Sequence, residues 1–206
     1  MFKQALAENG LIAILRGLRP QEAQGIGEVL YAAGFRVIEV PLNSPQPLES
    51  IRILRHHLPA DCVIGAGTVL TPEQVDAVKE AGGQLIVMPH SDPAVLRAAK
   101  AAELFLAPGV ATPTEAFAAL ANGADVLKLF PAEQMSPALV KAWLAVLPAR
   151  TVLLPVGGIT PTTMQPYIDA GVKGFGLGSG LYKPGMTDSE VARNAAAYVT
   201  AWRALA

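Results

Sequence analysis

Cysteine is almost missing from this chain, with Cys62 the one example in 206 residues. A lone cysteine excludes an intrachain disulfide and fits a reducing compartment. Its place at the start of an apolar run suggests packing as a small hydrophobe. Net charge is equally scarce, a formal −1 from 16 basic and 17 acidic residues. Nucleic acid and anionic membranes both favour a basic excess, so neither is an expected partner. Of the three histidines, His56 and His57 are adjacent and diverge on a helix, and His90 stands alone in a loop. No spacing of His, Cys or carboxylates suggests a metal site, and no metal or cofactor is expected. There is no block of like charge, no low-complexity segment and no apolar stretch of membrane-spanning length. The opening run MFKQALAENGLIAILRG is broken by Glu8, Asn9 and Gly10, so no signal peptide is expected. What remains is 51% hydrophobic by count and long enough for one well-buried core. The expectation is one cytoplasmic α/β domain over residues 1–206.

Short apolar runs alternate with alanine-rich amphipathic patterns eight times. The strand candidates are Leu11–Leu15, Val37–Val40, Cys62–Ala66, Gln84–Val87, Leu104–Leu106, Val126–Leu129, Val152–Pro155 and Gly174–Leu177. Helices are expected to open at Pro20, Pro45, Thr71-Pro72, Asp92-Pro93, Thr112-Pro113, Ser136-Pro137, Thr160-Pro161 and Asp188. A proline just inside a helix, after Thr, Ser or Asp, is a start signal. Gly34, Gly82, Gly123 and Gly171 read as helix ends. Continuous apolar strands suggest a parallel sheet covered by helices. Eight such units in about 200 residues match the lower size limit of the (β/α)8 TIM barrel. A doubly wound open sheet is the alternative, but its phosphate loop is missing after the first strand, where Arg16-Gly17-Leu18-Arg19-Pro20 stands.

In such a barrel the chemistry sits at the carboxyl ends of the strands. Those ends carry Arg16, Glu39, Thr68, Pro89, Pro108, Lys128, the run Val156-Gly157-Gly158, and Gly178-Ser179. Lys128 is the anomaly, an ammonium flanked by Val126, Leu127, Leu129 and Phe130. A buried lysine without a partner tends to lose its proton, and the neutral amine forms Schiff bases with carbonyls. Strand alternation puts Val126, Lys128 and Phe130 on one side, and Val37 and Glu39 on one side. Glu39 then reads as a proton shuttle, or as a plain ion-pair partner for Lys128 or Arg16. The glycine loops after the last two strands, Gly157-Gly158 and Gly176-Leu177-Gly178-Ser179-Gly180, suit a phosphate site.

Four segments carry a family resemblance: IEVPLNSP (Ile38–Pro45), IGAGTVL (Ile64–Leu70), KLFPAE (Lys128–Glu133) and PVGGIT (Pro155–Thr160). In order and spacing the chain resembles the class I 2-keto-3-deoxy-6-phosphogluconate/galactonate aldolases over nearly its whole length. The resemblance implies a (β/α)8 barrel, commonly a homotrimer, that cleaves a phosphorylated keto-sugar acid to pyruvate and glyceraldehyde 3-phosphate. By position it implies Lys128 as the Schiff-base lysine and Glu39 as the acid/base. It likewise implies Thr68 near the pyruvyl carboxylate, Pro89 and Phe130 as site walls, and Gly157, Gly158 and Ser179, with Gly178, as the phosphate cradle. Two positions depart from the gluconate-type pattern: Asn43 where those members carry arginine, and Val156 where they carry threonine. With Arg16 placed to reach the carboxylate instead, the pattern is that of the galactonate branch. The gluconate epimer, a phosphate-binding barrel isomerase or transferase, and a non-catalytic sugar-phosphate sensor are the other readings.

Overall fold

The apolar runs form parallel strands. The computed structural model describes residues 2–205, so the first and last positions of the expected 1–206 domain lie outside the described residues. The strands are β1 (Leu11–Ile14), β2 (Val37–Pro41), β3 (Val63–Gly67), β4 (Leu85–Val87), β5 (Phe105–Ala107), β6 (Gly109–Val110), β7 (Leu127–Leu129), β8 (Leu153–Pro155) and β9 (Phe175–Leu177). The helices are α1 (Phe2–Glu8), α2 (Pro20–Ala33), α3 (Pro47–His57), α4 (Pro72–Glu80), α5 (Pro93–Ala101), α6 (Pro113–Ala121), α7 (Pro137–Leu144), α8 (Met164–Asp169) and α9 (Asp188–Leu205), with a 3-10 turn at Ala132–Gln134. One sheet runs β5-β4-β3-β2-β1-β9 and a second runs β6-β7-β8. An isolated parallel bridge, Val156 to Gly176, lies between the β8 and β9 edges. The result is a curled, mostly parallel α/β fold.

Alternation along each strand divides the interior in two. Ile38, Val40, Ile64, Ala66, Leu127 and Leu129 join the large core beneath the helices. Ile12, Val37, Val63, Leu85, Val126 and Leu154 form a smaller cluster on the inner side of the curl. Helix α1 closes that cluster, burying Phe2, Ala5 and Leu6, with the Phe2 ring stacked 5.1 Å from that of Phe105.

The caps behave as their chemistry requires. Thr71, Asp92, Thr112 and Ser136 each accept a backbone N–H at a helix start, with proline in the first turn. Three expectations need correction. The strand expected at Leu104–Leu106 is β5, one residue later, but a further short strand, β6, follows it in the other sheet, because Pro108 between them has no N–H to continue the ladder. Helix α3 opens at Pro47 rather than Pro45, since Gln46 takes a left-handed conformation (φ 45) at the N-cap. Thr160-Pro161 begins a turn, not a helix: the Thr160 N–H donates to the Thr163 hydroxyl (2.9 Å), and α8 starts only at Met164. Among the described residues no helix is long and apolar enough to cross a membrane, and no group of three or more His, Cys, Asp or Glu could hold a metal ion. Cys62 is buried, which pushes its thiol up to about 12.

Candidate active site

Lys128 sits at the centre of β7, the middle strand of the smaller sheet, in register with Gly109 and Leu154. Its backbone N–H donates to Pro108 O at 2.9 Å. Leu127 and Leu129 on either side point into the helix-covered core, so the lysine takes the inner side and is only 7% exposed. Burial holds its pKa below the ordinary lysine value; Glu39 pulls it up, and Arg16 pushes it further down. Its Nζ lies 4.7 Å from the centroid of the Phe130 ring.

Glu39 lies on β2, opposite Ile14 and Gly65, and is 1% exposed. Burial pushes its carboxyl up to about 7 against the opposing pull of Lys128 and Arg16. Its Oε2 has no hydrogen-bond partner among the described residues, and no ion pair joins it to Lys128. The carboxyl lies against Gly67, where any Cβ would collide with it. Both groups are thus driven toward their neutral forms. An amine whose proton is held less tightly than usual and a carboxyl shifted up to about 7 are the kinds of group suited to nucleophilic and proton-transfer chemistry.

Arg16, just past β1, donates through Nη1 to Asn43 Oδ1 at 2.6 Å. The Gly17 N–H donates to Ser44 Oγ at 2.9 Å, so two contacts join the loops after β1 and β2. Thr68, one residue past β3, holds φ at +55. That is uncommon for a β-branched residue and marks a constrained strand end.

A cavity of about 840 Å³ opens at this end of the strands. It is lined by Arg16, Asn43, Lys128, Phe130, Val156, Gly157, Gly158, Gly178 and Ser179. Glu39, which is buried, and Thr68 and Pro89, beyond β3 and β4, are not part of this lining. Gly157 (φ +114) and Gly158 (φ +63) adopt the left-handed conformation, which needs glycine. Their loop is tethered by Tyr198, whose hydroxyl donates to Ile159 O at 2.8 Å. A Cβ on Gly178 would meet nothing within 4 Å, so the Gly178-Ser179 turn is open for a ligand to approach.

The lining residues not singled out from the sequence include Glu133, Tyr182 and Lys183. Glu133 ends the KLFPAE run and was visible, but spacing alone gave it no direction. Lys183 and Tyr182 belong to the turn after Ser179, where the Tyr182 N–H donates back to Gly178 O at 3.0 Å. That return depends on the turn and left no local motif.

A parallel α/β chain with a desolvated lysine, a buried carboxyl and paired glycines around one strand-end cavity has the layout of an enzyme acting on carbonyl compounds. The family model for KDPG and KHG aldolases matches residues 2–196, and the chain belongs to that family. It is 48% identical over 198 residues (96% of this chain, 93% of the relative) to the probable 2-dehydro-3-deoxy-6-phosphogalactonate aldolase of Rhizobium meliloti. It is 47% identical over 193 residues (94% of each) to the 2-dehydro-3-deoxy-6-phosphogalactonate aldolase of Escherichia coli. A solved structure described as native KDPGal superposes with a TM-score of 0.93 at 47% identity, covering 95% of both chains.

Proposed function

We propose that this protein cleaves 2-dehydro-3-deoxy-6-phosphogalactonate to pyruvate and glyceraldehyde 3-phosphate through a Schiff base on Lys128. The observation that carries the reading is the paired displacement of Lys128 and Glu39, the amine pushed down and the carboxyl pushed up to about 7.

Neutral Lys128 attacks the C2 ketone, and the carbinolamine loses water to give an iminium. Glu39 exchanges the protons, through water. It then accepts the C4 hydroxyl proton as the C3–C4 bond breaks, and the electron pair flows into the iminium to leave an enamine. Glyceraldehyde 3-phosphate departs, the enamine is protonated at C3, and hydrolysis frees pyruvate and Lys128. A carboxyl titrating near pH 7 both accepts and returns protons readily. Arg16, oriented by Asn43, holds the substrate carboxylate and Phe130 walls the pyruvyl end; Thr68 and Pro89, which the family resemblance adds to that end, stand outside the cavity lining. Gly157, Gly158, Gly178 and Ser179 hold the phosphate, whose remote grip positions the reacting bond.

The galactonate epimer is favoured because Val156, an apolar side chain, lines the cavity where gluconate-type members carry a hydroxyl. The strands are read as one closed (β/α)8 barrel in a single domain, with β5 and β6 as halves of one strand and the Val156–Gly176 bridge closing the ring. A homotrimer and a cytoplasmic location are inferred from the family resemblance and the lone buried cysteine. Side-by-side cleavage of the two epimers tests the substrate assignment, with faster turnover of the galactonate form expected. Preference for the gluconate epimer would reverse it.

A further inference from the structure

Glu133 stands apart from the rest of the cavity lining. It is the one carboxylate among the described lining residues, which also include the basic residues Arg16, Lys128 and Lys183. Yet its carboxylate forms no hydrogen bond or ion pair among the described residues. It lies instead across the glycine pair. A Cβ on Gly157 would collide with Glu133 Oε2, and one on Gly158 would stand 2.8 Å from Glu133 Cγ.

The backbone around Glu133 is fixed on both sides. The Ala132 N–H donates to Val156 O and the Met135 N–H to Ala132 O, both at 2.9 Å. The Tyr167 hydroxyl donates to Ala132 O at 3.0 Å and to Met135 O at 2.9 Å. Ala132 and Met135 are buried, while Glu133 between them is exposed to the cavity. The turn therefore delivers a carboxylate to the same two glycines that the proposed function assigns to the substrate phosphate.

We propose that Glu133 is a specificity-determining anion of the phosphate end, competing by charge for the face of Gly157 and Gly158. Two anions on one glycine pair repel, and at a cavity mouth where Glu133 and Gly158 are exposed solvent weakens that repulsion without abolishing it at contact distance. A phosphate ester anchored elsewhere, by its carboxylate and by Lys128, overcomes the competition. Inorganic phosphate, with no second anchor, does not. Glu133 thereby keeps free phosphate out of the cradle and weakens the hold on the phosphorylated aldehyde once the C3–C4 bond is cut. This role rests on the proposed phosphate cradle.

Glu133→Gln keeps the stem and shape of the side chain and removes the charge. Calorimetric titration with inorganic phosphate is expected to show binding to this variant about five- to tenfold tighter than to the wild type. The KM for the phosphorylated substrate is expected to fall with it, and Glu133→Asp is expected to bind phosphate as weakly as the wild type. Unchanged or weaker phosphate binding by a Glu133→Gln variant with the wild-type circular dichroism spectrum overturns the proposal, as does tightening by Glu133→Asp equal to that by Glu133→Gln. Wild-type protein that is not trapped by borohydride with pyruvate would refute the aldolase reading itself, a separate result.

Discussion

Arg16 and Asn43 stand at the ends of neighbouring strands and are joined by a 2.6 Å hydrogen bond from the guanidinium to the amide oxygen. Asn43, itself in the cavity lining, thus also holds the Arg16 side chain in place. An arginine held by a neutral amide keeps its other donors free for a carboxylate.

Arg16→Ala is accordingly expected to raise the KM for the keto acid by about ten- to a hundredfold, the loss of a charge-assisted hydrogen bond. Asn43→Ala should move KM in the same direction by a smaller factor. Steady-state kinetics on both variants checks the order; an Asn43 effect equal to or larger than that of Arg16 would make Asn43 the primary contact.

Glu39 carries two expectations with one cause. Replacing it by glutamine should lower kcat by about two to four orders of magnitude and remove the acidic limb expected in the wild-type pH profile as Glu39 ionises near pH 7. The same burial makes the folded state bind a proton that the unfolded state has already released. Above the ordinary glutamate value of 4.5 the unfolded chain ionises at this position while the folded one does not, so the carboxyl costs stability increasingly up to about 7. Glu39→Gln should therefore gain on the wild type in chemical denaturation between pH 5 and 7, by roughly 3 kcal/mol at most. A gap that closes with rising pH would contradict the shift.

Gly157 adopts φ +114 and packs against Glu133. Gly157→Ala should raise the KM for phosphorylated substrate at least about tenfold and cost about 1 kcal/mol or more in stability. Adding Glu133→Ala should recover part of that loss by relieving the collision, leaving the backbone strain. Recovery to wild-type values would mean the left-handed conformation contributes nothing.

Phe2 is fully buried at the closed end of the inner cluster. Phe2→Ala should destabilise the protein by about 3 kcal/mol in urea unfolding. Unchanged stability would mean that α1 does not seal the core.

The alternation of strands and helices was legible because each strand is an apolar run and most helices announce themselves with a cap and a proline. Lys128 was legible for a related reason, since a charge among Val126, Leu127, Leu129 and Phe130 contradicts its surroundings. Pro108 was less so: a single missing N–H divides a ladder, which depends on the partner strand. Helix α1 spans 7 residues and is held by tertiary burial of Phe2, Ala5 and Leu6, so no local periodicity marked it. Glu133 and Lys183 were missed because they reach the cavity through a 3-10 turn and a strand-end loop, where side-chain direction follows no fixed period.

The claim at the centre is that the Lys128 amine is the nucleophile. Incubation with pyruvate and borohydride, followed by peptide mass spectrometry, should place a single reduced adduct on Lys128, and Lys128→Ala should give none. An adduct on another lysine, or undiminished trapping in Lys128→Ala, would contradict the account.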